Sequence, residues 1–138
     1  MRVLVVDDDL DTLDLFSTLL RLWGHEVRVL EDPTRALSAA LEFLPGIVFL
    51  DLGMPKVDGW EVAKRMRQHR VLDSTFLVAV TGYGRAEDRA KSHAAGFDVH
   101  LLKPVDTADL QLLLKRRPHP APRLRLAHSG SPPACAAR

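Results

Sequence analysis

A chain of 138 residues with 46% hydrophobic and 27% charged side chains is sized for one domain that buries a core without disulfide or metal staples. The single Cys135 excludes an internal disulfide, no apolar run approaches the roughly 18 residues of a membrane helix, and no signal-peptide pattern precedes the first strand, so a soluble cytoplasmic protein is expected. The formal charge of +1 hides an asymmetry: residues 116–138 hold five Arg and no acid, leaving 14 basic against 18 acidic side chains in residues 1–115, which argues against a nucleic-acid-binding body.

Val3-Leu4-Val5-Val6 is short, apolar and β-branched, and it runs into Asp7-Asp8-Asp9, the pattern of a buried strand that opens onto acid. Leu10 to Trp23 then carries Leu13, Phe16, Leu20 and Trp23 at helical spacing, with Asp9 and Asp11 near its start and Gly24 placed to end it in a left-handed cap. Glu26 to Leu30 alternates around Val27 and Val29 as a second strand. A second helix follows, with Pro33 in its first turn, Leu37, Ala40, Leu41 and Leu44 on its apolar face, and Pro45-Gly46 after it. The third strand, Ile47-Val48-Phe49-Leu50-Asp51, is four apolar residues ending in one carboxylate, with Gly53 and Pro55 close behind.

Asp58 offers a helix cap with Glu61 three positions on, and Val62, Ala63 and Met66 give that third helix its apolar side. Phe76 to Val80 is the fourth strand and ends in Thr81-Gly82, a hydroxyl where the earlier strands have carboxylates. Arg85 to Ala95 reads as a polar, Ala-rich helix closed by Gly96. The fifth strand, Val99 to Leu102, ends in Lys103-Pro104, after which Asp106 or Thr107 caps a last helix bearing Leu110, Leu113 and Leu114. From Pro118 onward five Pro residues with Ala, Ser, Gly and Arg replace any periodicity, so a disordered tail over 118–138 is expected beside a domain over 1–117.

Five strands alternating with five helices through short connections imply parallel pairing by right-handed crossovers, hence a doubly wound α/β sheet with helices on both faces. The usual five-strand order is 2-1-3-4-5, and ligands in such sheets sit outside the carboxyl ends of the strands, at the switch point between strands one and three. Asp7, Asp8, Asp51, Thr81 and Lys103 all fall at that edge. Carboxylates held within a few ångströms repel one another, and a hard divalent cation with oxygen ligands relieves the repulsion; Mg²⁺ suits because it needs few protein ligands and keeps waters. A carboxylate so placed can act as nucleophile toward phosphorus while a metal, an ammonium and a hydroxyl neutralise the transferring phosphoryl oxygens.

Val5-Val6-Asp7-Asp8-Asp9, Asp51-Leu52-Gly53-Met54-Pro55-Lys56-Val57-Asp58-Gly59, Thr81-Gly82 and Lys103-Pro104 together resemble the receiver domain of bacterial two-component response regulators, across roughly residues 2 to 115. The resemblance implies a flavodoxin-like fold and an aspartyl phosphate formed on Asp51 by transfer from a phosphohistidine of a sensor kinase. It further implies that Asp8, Asp51 and the Gly53 carbonyl ligate Mg²⁺ with Asp7 assisting, that Thr81 and Lys103 contact the phosphoryl group, and that the Lys103-Pro104 bond is cis.

One departure and two rivals bear on that reading. At the position three before Lys103, where receivers typically carry a rotating Phe or Tyr, this chain has His100, which is expected to switch with Thr81 and to reshape the face of helix four, strand five and helix five. Asp9-Leu10-Asp11-Thr12-Leu13 is similar to the nucleophile loop of haloacid-dehalogenase-type phosphatases, but that family places its acidic pair after its Lys, whereas only Asp106 and Asp109 follow Lys103 here. A degenerate receiver acting only as a binding module is the third reading, and the full set of acids, Thr and Lys argues against it. The expected role is a stand-alone receiver, a signalling protein more than an enzyme, with a sensor histidine kinase or histidine phosphotransfer protein and a downstream protein as partners and no DNA or membrane contact. His25, His69, His93, His119 and His128 lack ligand spacing and read as surface residues.

Overall fold

The computed structural model describes residues 1–82 and 86–116; the expected tail over 118–138 lies outside the described residues. In chain order the elements are β1 (Arg2–Val6), α1 (Leu10–Leu22), β2 (Glu26–Leu30), α2 (Ala36–Phe43), β3 (Ile47–Asp51), α3 (Gly59–Arg67), β4 (Phe76–Thr81), α4 (Ala86–Ala95), β5 (Val99–Leu102) and α5 (Thr107–Arg116). Single 3-10 turns at Pro33–Arg35 and Arg70–Leu72 precede α2 and β4. The five strands are parallel in the order β2-β1-β3-β4-β5, as expected. No helix among the described residues is long and apolar enough to cross a membrane.

Strand alternation divides the core into two layers, because successive side chains leave a strand on opposite faces. Leu4, Val6, Val48, Leu50, Leu77 and Ala79 point to one face and pack on α2 and α3 through Ala40, Ala63 and Met66. Val3, Val5, Ile47, Phe49, Val78 and Val80 point to the other and meet Leu13, Phe16 and Leu20 of α1 and Leu110 of α5. There the Phe16 ring meets the Phe49 ring edge-on at 5.6 Å. β3 and β4 are buried along their whole length, so their unbroken apolar runs are what two covered faces require.

Two local expectations needed correction in the second helical segment. Pro33 does not begin the α-helix: the Asp32 carboxylate accepts the Thr34 N–H at 3.0 Å and its hydroxyl at 2.6 Å, and this closed turn leaves α2 to start at Ala36. Leu44 does not extend the buried face either; it is exposed, with φ 51 and ψ 60. Pro45 disfavours right-handed helix at the residue before it, so the chain leaves α2 at Leu44, whose N–H still bonds Ala40 O at 2.8 Å. At the end of α1 the expected glycine cap is present: Gly24 has φ +92, and the Gly24 and His25 N–H groups bond Arg21 O and Leu20 O.

Candidate functional site

The carboxyl ends of β1, β3, β4 and β5 bring Asp7, Asp8, Asp51, Thr81 and Lys103 to one edge of the sheet. Asp7 and Asp51 stand one residue beyond the Val6–Leu50 pair of adjacent strands, and both are nearly buried, at 3% and 5% exposure. Asp8 is exposed, and oxygens of the three carboxylates lie within 4.8 Å of one another. The donor set is all oxygen and of one sign, which suits a hard divalent cation.

Backbone turns fix these side chains. The Asp9 N–H donates to Asp7 Oδ1 at 2.9 Å, and the Gly53 N–H donates to Asp51 Oδ1 at 2.8 Å, so each carboxylate is oriented by the amide two residues on. The opposite oxygens face one cation: Lys103 Nζ lies 3.0 Å from Asp7 Oδ2 and 3.2 Å from Asp51 Oδ2. The Lys103 backbone N–H bonds Thr81 O at 2.8 Å, and the Lys103–Pro104 peptide bond is cis, as the resemblance implies. Thr81 is 1% exposed at the end of β4.

The charges are consistent with this wiring. Burial pushes the Asp7 carboxyl above the ordinary carboxylate value and Asp51 adds repulsion, while the Asp9 N–H and the Lys103 ammonium pull the other way. Burial lowers the Lys103 ammonium, but its hydrogen bond to Asp7 and the two facing carboxylates outweigh that, and the net displacement is upward. A partly exposed lysine bridging two acids is therefore charged, and it is the only cation the structure places between Asp7 and Asp51 among the described residues.

A family model for the response regulator receiver domain matches residues 3–115. The chain belongs to this family. Among similar proteins, an uncharacterized 14.6 kDa protein of Leptolyngbya boryana is 38% identical over 84% of this chain and 88% of its own length. The transcriptional regulatory protein PrrA of Mycobacterium tuberculosis is 39% identical over 84% of this chain, which spans only 51% of that relative. The chemotaxis protein CheY4 of Vibrio cholerae superposes with a TM-score of 0.78 at 28% identity, covering 83% of this chain and 96% of the other. Nothing in these comparisons supports the phosphatase or the pseudo-receiver alternative; the chain is a receiver of the phosphoryl-accepting, signalling type.

Within this receiver domain the phosphatase-like stretch has a structural task. Asp9 caps α1, accepting the Asp11 N–H at 3.1 Å and the Thr12 hydroxyl at 2.8 Å; the Thr12 bond comes first among the causes that hold the Asp9 carboxyl below its ordinary value. The orienting amide of Asp9 is what the sequence reading missed, although the repeated Asp-x-Asp spacing, which sets each carboxylate two residues before an N–H, was its visible signal. His100 lies on β5 in register with Ala79, two residues from the Thr81–Leu102 pair, so Thr81 and His100 share a face of the sheet. It is half-buried, as are His25 and His69, which departs from the expected surface positions of the last two; His93 is exposed, and His119 and His128 lie outside the described residues.

Proposed function

We propose that this receiver accepts a phosphoryl group from a phosphohistidine onto Asp51, with Mg²⁺ held by Asp8, Asp51 and the Gly53 carbonyl and Asp7 assisting from beside them. The observation that carries the reading is the placement of one buried carboxylate, Asp51, within 3.2 Å of the Lys103 ammonium and inside a three-carboxylate cluster. An Asp51 oxygen attacks phosphorus as the bond from phosphorus to the imidazole nitrogen breaks, and the imidazole leaves with the electron pair. Mg²⁺ held by Asp8, Asp51 and the Gly53 carbonyl would supply neutralisation of phosphoryl oxygen charge. Lys103, already poised between Asp7 and Asp51, turns its ammonium to the incoming phosphoryl group, and the Thr81 hydroxyl donates to another phosphoryl oxygen.

His100 then reads the state of Thr81 from the same face of the sheet and alters the surface of α4, β5 and α5, where a downstream protein docks. The partners of this reading are a sensor histidine kinase or a histidine phosphotransfer protein, and the receiver itself is cytoplasmic. The receiver of this reading is residues 1–117.

The test is incubation with Mg²⁺ and acetyl phosphate as phosphodonor. An acid-stable, base-labile adduct is expected on the parent and absent on Asp51→Asn; equal labelling of that variant rejects the assignment. His100→Tyr is expected to keep the adduct, since its ring lies on β5 and not among the carboxylates.

A further inference from the structure

We propose that Trp60 couples the state of Asp51 to the position of α4, along a route through α3 that is separate from β4 and β5. The inference rests on Asp51 being the acceptor.

The first link is a close backbone approach. Gly59, the first residue of α3, is buried, and a Cβ there would stand 2.6 Å from Leu52 Cδ2, 3.5 Å from Leu52 Cα and 3.6 Å from the Asp51 carbonyl oxygen. Its φ lies outside the left-handed region, so the glycine serves this contact and not a turn. Movement of Asp51 and Leu52 therefore reaches the start of α3 through both the Leu52 side chain and the backbone of these two residues.

The second link leaves α3 at the next residue. The Trp60 indole N–H donates to Ser92 Oγ at 3.0 Å, and Ser92, on α4, is 1% exposed. The Lys91 ammonium sits 4.0 Å from the centre of the same indole ring. One side chain thus holds two consecutive residues of α4, by a directional bond at its edge and by a cation on its face. The rest of the ring rests on the core layer that includes Ala63 and Met66. α4 has no large apolar side chain of its own, and Ser92 and Ala95 are its buried residues among those described. Few apolar contacts leave its position dependent on this clasp.

A neutral hydrogen bond of this kind changes an equilibrium roughly five-fold when it is made in one state and not in another. That is enough to shift α4 between two positions without being needed to fold the domain.

The experiment is amide hydrogen exchange along α4 of the full chain in Mg²⁺, with and without beryllium fluoride as a non-covalent phosphoryl mimic. The fluorine NMR signal of bound beryllofluoride reports loading of Asp51 separately. In the parent, loading should change α4 exchange. In Trp60→Phe, which keeps a ring but loses the N–H, and in Ser92→Ala, loading should be unchanged while the α4 response falls several-fold. A full α4 response in both loaded variants, or a loaded parent whose α4 exchange does not change, overturns the coupling. Absence of a bound-fluoride signal in the parent overturns the acceptor reading and the coupling with it.

Discussion

Asp7 shows at the level of one side chain what the site costs the fold. Its carboxyl is 3% exposed, and burial holds its pKa above the ordinary 3.8 in the folded chain. The folded state then binds the proton more tightly than the unfolded chain, so stability falls as pH rises from 3.8 through the folded value, and the whole penalty stands at neutral pH. Asp7→Asn removes the charge that burial opposes and the repulsion with Asp51, and should melt higher than the parent near pH 7, the advantage vanishing below about pH 3. A lower melting temperature at neutral pH would show that the Lys103 pairing outweighs burial. Lys103 carries linkage of the same sign in a higher pH range: raised above 10.5, it contributes stability that is complete below that value and is lost as pH rises through the folded one. Lys103→Met should therefore destabilise the domain by about 1–2 kcal/mol at neutral pH in urea unfolding, discounted because the side chain is one-third exposed.

Between elements, Arg67 at the end of α3 does what no apolar contact could. Its Nε donates to Gly96 O at 3.0 Å, Nη1 to Leu72 O at 3.0 Å and Thr75 O at 2.9 Å, and Nη2 to Asp98 Oδ2 at 3.0 Å. Asp98 Oδ2 also accepts the Leu77 N–H at 2.8 Å, so one guanidinium fastens the entries of β4 and β5 to α3. The pair is largely buried, at 12% and 19% side-chain exposure, and removing one partner strands the carbonyls and the carboxylate. Arg67→Ala should cost about 2–4 kcal/mol in urea unfolding. Arg67→Lys should recover less than half, because a single ammonium cannot span the fork; a lysine variant as stable as the parent would refute the account. This clasp was not legible in the sequence, where Arg67 is one of several basic residues after Met66 and its acidic partner lies 31 positions away. β3 and β4 were legible because burial on both faces writes itself as a local apolar run, and the edge strands β2 and β5 also have the bounds read from Glu26–Leu30 and Val99–Leu102. So was the gathering of Asp7, Asp8, Asp51 and Lys103, since each lies at or just beyond the end of a strand. What stayed hidden were contacts made at long range, such as Trp60 to Ser92, and the Asp32 turn that delayed α2, where a side-chain bond outweighed the helical signal of Pro33.

For the molecule as a whole, a cation held by the carboxylate cluster would make stability a function of the metal. Asp7, Asp8 and Asp51 present their oxygens within 4.8 Å of one another only in the folded chain, and the unfolded chain has no such cluster to bind with. Any cation they hold adds its binding free energy to folding, about 2.7 kcal/mol at a hundredfold excess over Kd. For a domain of this size that raises the melting temperature by roughly 10 °C. Mg²⁺ should produce the rise near pH 7, whereas a monovalent salt of equal ionic strength should not, because screening alone cannot replace coordination. Asp8→Asn and Asp51→Asn should each lose most of the increment. The pH dependence has a definite sign: Asp7, with its pKa pushed up by burial, takes a proton at a higher pH than an ordinary carboxylate, and the protonated group no longer attracts the cation. The Mg²⁺ increment should thus shrink as pH falls toward the ordinary carboxylate value of 3.8, beginning above it. Melting curves that shift equally with Mg²⁺ in the parent and in both variants would mean that the cation binds elsewhere on the domain and that the strand-end acids hold none.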